Sequence, residues 1–323
     1  MTCDKVNAPG SHRYLKRPMA AGLGYSLSLI LHCLPVPSAT AAPPWPEALL
    51  RLECRPAGGE PARVSTAIAV TPGLLASIME KSADSDSYRA VDGSGTRPLK
   101  LLARDRDSGF SLFEPLENPD PPWPVASLDQ TAVALTAGLD LTLQSAAPVA
   151  ARLAGRDTLH GENLLQSPWL RVHLPTGTWM QGTPVTAPDG NLAGLLAGGV
   201  PNVPEAARIL PAAAVRHFVK LWTERQTLAR AELGIRLCHT DAIPRVIECY
   251  AALPAERAGI HPGDVLLRIG TTDIADAAGA AEACFYLRVD EPVKITALRG
   301  TDTVELTAVP VSASAKNTEA KNK

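Results

Sequence analysis

The sequence predicts a mainly β protein whose strands give way, near residue 211, to a single helix and then to a smaller α+β domain. Three observations carry that prediction. From Leu50 to about Pro211 the chain is a series of short apolar runs broken by turn residues, as in Ser65-Thr66-Ala67-Ile68-Ala69-Val70, Leu99-Lys100-Leu101-Leu102 and Phe110-Ser111-Leu112-Phe113. Between Pro211 and Leu233 the apolar positions Val215, Phe218, Val219, Trp222 and Leu228 instead recur at helical spacing. From Leu233 to Val311 the pattern reads strand, strand, turn, strand, helix, strand, strand. The composition agrees: 29 Pro and 24 Gly among 323 residues give many turns, and 46% hydrophobic against 20% charged residues is enough apolar material for buried cores.

Taken in order, residues 1–41 have the features of a secretory signal peptide. His12, Arg13, Lys16 and Arg17 form a basic start, Met19 to Leu34 is apolar, and Ala39-Thr40-Ala41 supplies small residues for cleavage. The expected location is therefore the periplasm, with an uncleaved inner-membrane anchor facing the periplasm as the alternative. Removing this segment takes away four of the 31 basic residues (Lys5, Arg13, Lys16, Arg17) and one of the 33 acidic ones (Asp4). That leaves 27 against 32, a net charge of −5. Such a balance gives no basic surface for nucleic acid. A strand-rich body is expected over 42–210, with Leu139-Asp140-Leu141-Thr142-Leu143 and Leu192 to Leu196 as further strands and Pro119 to Pro124 as a stiff connector between two halves. A linker helix is expected over 211–231, started by Pro211. The last domain should span 232–311, and the small polar stretch 312–323 should be disordered.

The strongest motif is Pro254-Ala255-Glu256-Arg257-Ala258-Gly259-Ile260-His261-Pro262-Gly263-Asp264-Val265-Leu266-Leu267-Arg268-Ile269. It packs a short helix through Ala258, turns at Gly259, and turns again at Gly263-Asp264 into a strand, with Asp264 capping the turn through its carboxylate. This run resembles the core of bacterial PDZ domains. The resemblance implies a long helix over Ala275 to Arg288, a strand from Val293 to Leu298, and a ligand groove between that helix and an exposed strand edge. Glu232-Leu233-Gly234-Ile235 is similar to the loop that holds a peptide's terminal carboxylate. Leu233, Gly234, Ile235, Arg236 and Leu237 are then the expected peptide-binding residues.

Four more segments, in order, resemble the HtrA/Deg family of envelope serine proteases. They are Pro72-Gly73-Leu74-Leu75-Ala76-Ser77, Val91-Asp92-Gly93 with Leu101 to Leu112, Val149 to Arg156, and Pro188 to Leu195. The resemblance covers about Arg63 to Val311 and implies a trypsin-like double β-barrel followed by a linker helix and a PDZ domain, itself an α+β partly open barrel. It also implies a Ser-His-Asp triad, and here the sequence departs from the family. The histidine position falls on Met79 or Glu80, the aspartate position on Gly109, and the serine position on Gln181; Trp179 stands where the family has an oxyanion-hole glycine. None of these can serve as imidazole base, orienting acid or hydroxyl nucleophile in the expected way. The remaining histidines, His160, His173, His217, His239 and His261, stand in no nucleophile or metal motif.

Outside the leader the cysteines are Cys54, Cys238, Cys249 and Cys284. If the strands around Asp241-Ala242-Ile243-Pro244 fold back symmetrically, Cys238 and Cys249 face each other at bridging distance; two buried thiols are the equal alternative. No cofactor or metal is expected. Three functional classes stay open. The first is a pseudoprotease that binds C-terminal or unfolded segments of envelope proteins as adaptor, regulator of an active HtrA-like protease, or holdase. The second is a serine endopeptidase with a displaced triad, and the third is an assembly protein whose PDZ domain fixes contacts in a homo-oligomer.

Overall fold

The computed structural model describes residues 45–79, 84–129, 131–157, 164–175, 179–238 and 243–313. The expected leader, Glu80, His160, His239 and the tail beyond Ala313 lie outside them. A short helix α1 (Trp45–Ala48) leads into β1 (Leu49–Arg55), β2 (Arg63–Thr71), β3 (Leu74–Ile78), β4 (Ser87–Asp92), β5 (Gly95–Arg104) and β6 (Phe110–Pro115), which close into a barrel in the order β1-β2-β3-β6-β5-β4. A second barrel follows from β7 (Asp140–Leu143), β8 (Val149–Arg156), β9 (Leu170–His173), β10 (Pro184–Thr186), β11 (Leu192–Val200) and β12 (Val203–Pro211), in the order β10-β11-β12-β9-β8-β7. The two barrels have the same strand order, and every ladder in them is antiparallel.

Each barrel has its own interior. In β1 the alternation is regular, with Leu50, Leu52 and Cys54 turned inward toward Leu75, Tyr88, Phe113 and Met79. β2 and β3 break the alternation because both their faces are covered. Ala67, Ala69 and Leu75 fill the first barrel, while Ile68, Val70, Leu74, Ala76 and Ile78 face outward into a second apolar cluster shared with Leu192, Leu195 and Leu210 of the second barrel. A near-continuous apolar run is the expected signature of a strand buried on both sides.

The same shared cluster seats helix α2 (Ala212–Arg225) through Val215, Phe218, Val219 and Leu221. Pro211 is its N-cap at φ −58°, which the ring already favours. The helix is shorter than the 211–231 expected from periodicity. Gln226 turns left-handed at φ 52°, and its N–H closes on the Trp222 carbonyl, so the helix stops before Leu228. Leu228 is buried all the same, as part of the connection beyond the helix. Phe218 stacks on Phe110 of the first barrel at 4.9 Å and meets Phe285 of the last domain edge-on at 5.3 Å. His217 lies in the same aromatic group, 5.6 Å from Phe285 and 5.4 Å from Tyr286. Burial, aided by nearby Arg288, Arg230 and Lys220, pushes its pKa down to about 4, so it is a neutral packing residue.

The C-terminal domain contains β13 (Ala231–Glu232), β14 (Ile235–Leu237), β15 (Val246–Cys249), α3 (Pro254–Arg257), β16 (Val265–Ile269), β17 (Thr272–Asp273), α4 (Ala277–Phe285), β18 (Val293–Arg299), β19 (Asp302–Ala308) and β20 (Val311–Ser312). β20 pairs with β13, so ordered structure runs past the expected start of the tail at Ser312. Helix α4 starts two residues later and ends three earlier than expected. Asp276 caps it by accepting from the Gly279 N–H at 2.6 Å. Asp264, 1% exposed, does cap its turn: it accepts from His261 N–H at 2.9 Å. Arg299 reaches it with two nitrogens, at 2.9 and 2.8 Å, and this pair holds its carboxyl below the usual carboxylate range.

The expected facing of Cys238 and Cys249 is corrected by the register. Cys249 stands opposite Ile235, while the Cys238 N–H bonds to the Arg245 carbonyl. The ladder is set with Cys249 opposite Ile235 and Glu248 opposite Arg236, three residues away from the register that would pair Cys238 with Cys249, so the cysteines sit at different levels. Cys249 remains a thiol, directed at the Ile260 carbonyl at 3.3 Å.

Candidate functional site

The residues singled out as triad positions meet at the seam between the barrels. The Met79 N–H bonds to the Gly109 carbonyl at 3.0 Å, which brings the end of β3 beside the start of β6. The connection before β10 crosses to the first barrel, where the Gln181 carbonyl accepts from the Thr66 N–H at 2.8 Å.

Their side chains do something different at each place. Met79 is 2% exposed and packs into the first barrel's interior with Leu75 and Phe113. Gly109 has φ +70° and closes the turn that starts at Asp105, its N–H bonding to the Asp105 carbonyl at 2.9 Å. The acid of this turn is thus Asp105, which accepts from the Ser108 N–H and hydroxyl at 2.9 and 2.5 Å and faces the linker. Gly182, the residue after Gln181, has φ +76°, and a Cβ there would lie 2.0 Å from the Thr66 carbonyl oxygen. Trp179 lies against Gly199 of β11, where a Cβ would come within 3.2 Å of its ring.

Hydroxyls occupy the seam. Ser77 donates to the Thr66 carbonyl at 2.7 Å and lies 3.0 Å from the Ser65 hydroxyl. Thr183 donates to the Met180 carbonyl at 2.7 Å and lies 3.1 Å from the Thr66 hydroxyl. Ser65, Thr66, Ser77 and Thr183 are 0–6% exposed. This chain of bonds satisfies buried polar groups between two bodies, which an interface requires. No imidazole joins it among the described residues: His173 is exposed on β9, His217 lies in the aromatic group on α2, and His261 is exposed beside the Asp264 turn. Nor do the described residues contain a cluster of ligands suited to a metal ion.

The second candidate site is the Leu233-Gly234-Ile235 loop with β14, whose side chains join one apolar cluster with those of α4. Gly234 has φ +78°, and a Cβ there would meet Leu253 at 2.4 Å, so the position takes only glycine. The Leu233 and Gly234 carbonyls accept from the N–H groups of Ala255 and Tyr250 at 2.8 and 2.9 Å, which pins the loop to the short helix α3 and the residue after β15. Leu233, Ile235 and Leu237 are 1–3% exposed and join an apolar cluster with Ala277, Ala280, Ala281 and Cys284 of α4. Arg236 points the other way, to Glu248 at 2.9 Å. Among the described strands β14 pairs with β15 alone, in a two-stranded ladder.

Residues 231–309 match the family model of the PDZ domain. Solved structures match the whole arrangement. The HtrA-type protease AlgW with a tripeptide aligns over 82% of this chain and 93% of its own, at 16% identity and a TM-score of 0.65. AlgW with a decapeptide gives 82% and 95% coverage, 15% identity and 0.61. The serine endoprotease from Yersinia pestis gives 82% and 94%, 13% identity and 0.55. The chain has the HtrA-type fold with one PDZ domain. No curated protein matches it at the level of sequence. Within that HtrA-type frame, the feature that sequence reasoning missed is Arg230. It stands just before the PDZ domain and reaches Asp105 of the first barrel and the Leu165 carbonyl of the second. Its only sequence signal is an arginine in an apolar stretch, 125 residues from its acid.

Proposed function

We propose that this chain is an exported HtrA-type pseudoprotease that grips polypeptides without cutting them. The observation that carries the reading is the seam. A Ser-His-Asp triad transfers acyl groups through an imidazole held between a carboxylate and a hydroxyl. Here the corresponding positions hold a core methionine or Glu80, a left-handed glycine, and a glutamine followed by a glycine with no room for a side chain. Binding is left to the PDZ domain. A peptide would add as a strand along β14, set its terminal carboxylate at the Leu233-Gly234-Ile235 loop, and turn apolar side chains toward α4. Two of the similar HtrA-type structures were solved with short peptides, and the same ligand class is proposed here. C-termini or unfolded segments of envelope proteins are the proposed partners in the periplasm, with an active HtrA-like protease as the partner if the role is regulatory.

Fluorescence titration of the mature protein with C-terminal peptides tests this reading. Saturable binding is expected, weaker by at least about tenfold when the terminal carboxylate is amidated, because charge-assisted bonds to the loop are lost. Equal binding of acid and amide, or no saturable binding across a diverse peptide set, contradicts it.

A further inference from the structure

We propose that a cavity where the two barrels meet the segment leading into the PDZ domain binds a small amphiphilic anion, an organic carboxylate or phosphate ester with an apolar tail. The cavity holds about 860 Å³, inside the range of roughly 300–1,000 Å³ in which small-molecule sites fall. Its walls come from three parts of the chain. The end of β5 and the turn after it give Leu102 to Asp107, and the connection between β8 and β9 gives Leu165 and Gln166. The end of α2 and the stretch behind it give Trp222 and Gln226 to Arg230. Meeting points of separately packed bodies are where such sites commonly form.

The charges of the wall favour an anion. Arg104, Arg106 and Arg230 stand there against Asp105 and Asp107. Both acids are already engaged. Asp105 accepts from Arg230 and Ser108, while Asp107 accepts from Ser167 and lies 3.3 Å from Arg230. Asp84 lines a neighbouring cavity of about 300 Å³ that shares Arg104 and Arg106, and it does not line this one. Arg106 is exposed and takes no partner among the described residues. A guanidinium with its donors open matches the planar two-oxygen edge of a carboxylate or phosphate. The tail has its own surface. Leu102 and Trp222 are half-buried, packed on the core shared by the barrels, and Leu228 is buried in that same core. A purely polar anion would leave this apolar surface wet, and an uncharged apolar molecule would leave Arg106 to water, so the wall fits a molecule with both parts.

The probe is 1-anilinonaphthalene-8-sulfonate, an aromatic body with one anionic group, titrated by fluorescence into the purified protein. Saturable binding at one site is expected, weaker by about tenfold or more in Arg106→Glu, because a charge-assisted contact becomes a repulsion. Arg106 has no described partner to lose, so that variant should melt at the wild-type temperature. Arg152→Glu makes the same change of net charge on the exposed side of β8, outside the cavity, and should bind the dye as the wild type does. Uncharged N-phenyl-1-naphthylamine should bind at least about tenfold more weakly than the sulfonate. Octanoate should displace the dye, and inorganic phosphate at the same concentration should not. No saturable binding, equal weakening in both arginine variants, or weakening in neither overturns the site. Equal affinity for the two dyes, or equal displacement by octanoate and phosphate, overturns the amphiphilic ligand. Dye displaced by a C-terminal peptide but indifferent to Arg106→Glu would lie in the PDZ domain, which also defeats the proposal while leaving the peptide reading intact.

Discussion

Arg230→Met is expected to lower the free energy of unfolding by about 3–5 kcal/mol, the usual cost of leaving one partner of a buried ion pair behind. Arg230 is 11% exposed and Asp105 6% exposed as side chains; two guanidinium nitrogens reach the carboxylate at 2.8 Å each. The same guanidinium donates to the Leu165 carbonyl and the Ser167 hydroxyl, both at 2.5 Å, and lies 4.9 Å from the centre of the Phe285 ring. It thus ties the first barrel, the second barrel and the PDZ domain to the end of the linker. Methionine keeps the apolar length but removes every donor, so Asp105 retains only Ser108. Urea unfolding measures the loss, and adding Asp105→Ala should recover part of it, since the stranded charge is gone. A loss below about 1 kcal/mol, the range of exposed pairs, would contradict the clamp.

Gly182→Ala is expected to cost about 3 kcal/mol or more, through two effects that act together. A non-glycine residue at φ +76° is strained by roughly 1 kcal/mol, and its Cβ would be forced to 2.0 Å from the Thr66 carbonyl oxygen, an overpacking that adds about 1–3 kcal/mol. The connection that carries Gln181 must then lift off the first barrel, breaking the Thr66 N–H to Gln181 bond. Gly190→Ala is the control. It has φ +81° but nothing within 4 Å of the new Cβ, so only the strain of about 1 kcal/mol remains. Equal losses in the two variants would show that contact with Thr66 is not what holds the seam.

The parts of this fold that were legible in the sequence are those set by local chemistry. The run from Pro254 to Ile269 announces its helix, two turns and strand because each depends on residues a few positions apart: Gly259, Gly263, and Asp264 beneath His261. The strand runs were legible for the same reason, including Ser65 to Val70, although nothing local says that Ile68 and Val70 face a second barrel. Three features were hidden. The register of the β14–β15 hairpin, with Cys249 opposite Ile235, separates Cys238 from Cys249, and no residue in that hairpin signals it. The end of α2 at Arg225 is made by Gln226 in a left-handed conformation, where glycine or asparagine would have given warning. The Arg230–Asp105 pair joins segments far apart in the chain, and only tertiary packing creates it. At the seam, sequence pointed to the right place, and the structure added what its residues do there: Met79 turns into a core and hydroxyls of Ser65, Thr66, Ser77 and Thr183 bridge the barrels.

Whether any hydroxyl of this protein acts as a nucleophile can be read directly with a fluorophosphonate probe. The purified protein, treated at neutral pH beside an active HtrA-type protease and analysed by intact mass, should gain no phosphonyl adduct while the active enzyme is fully labelled. A stoichiometric adduct on one serine or threonine, lost on denaturation before labelling, would contradict the pseudoprotease reading.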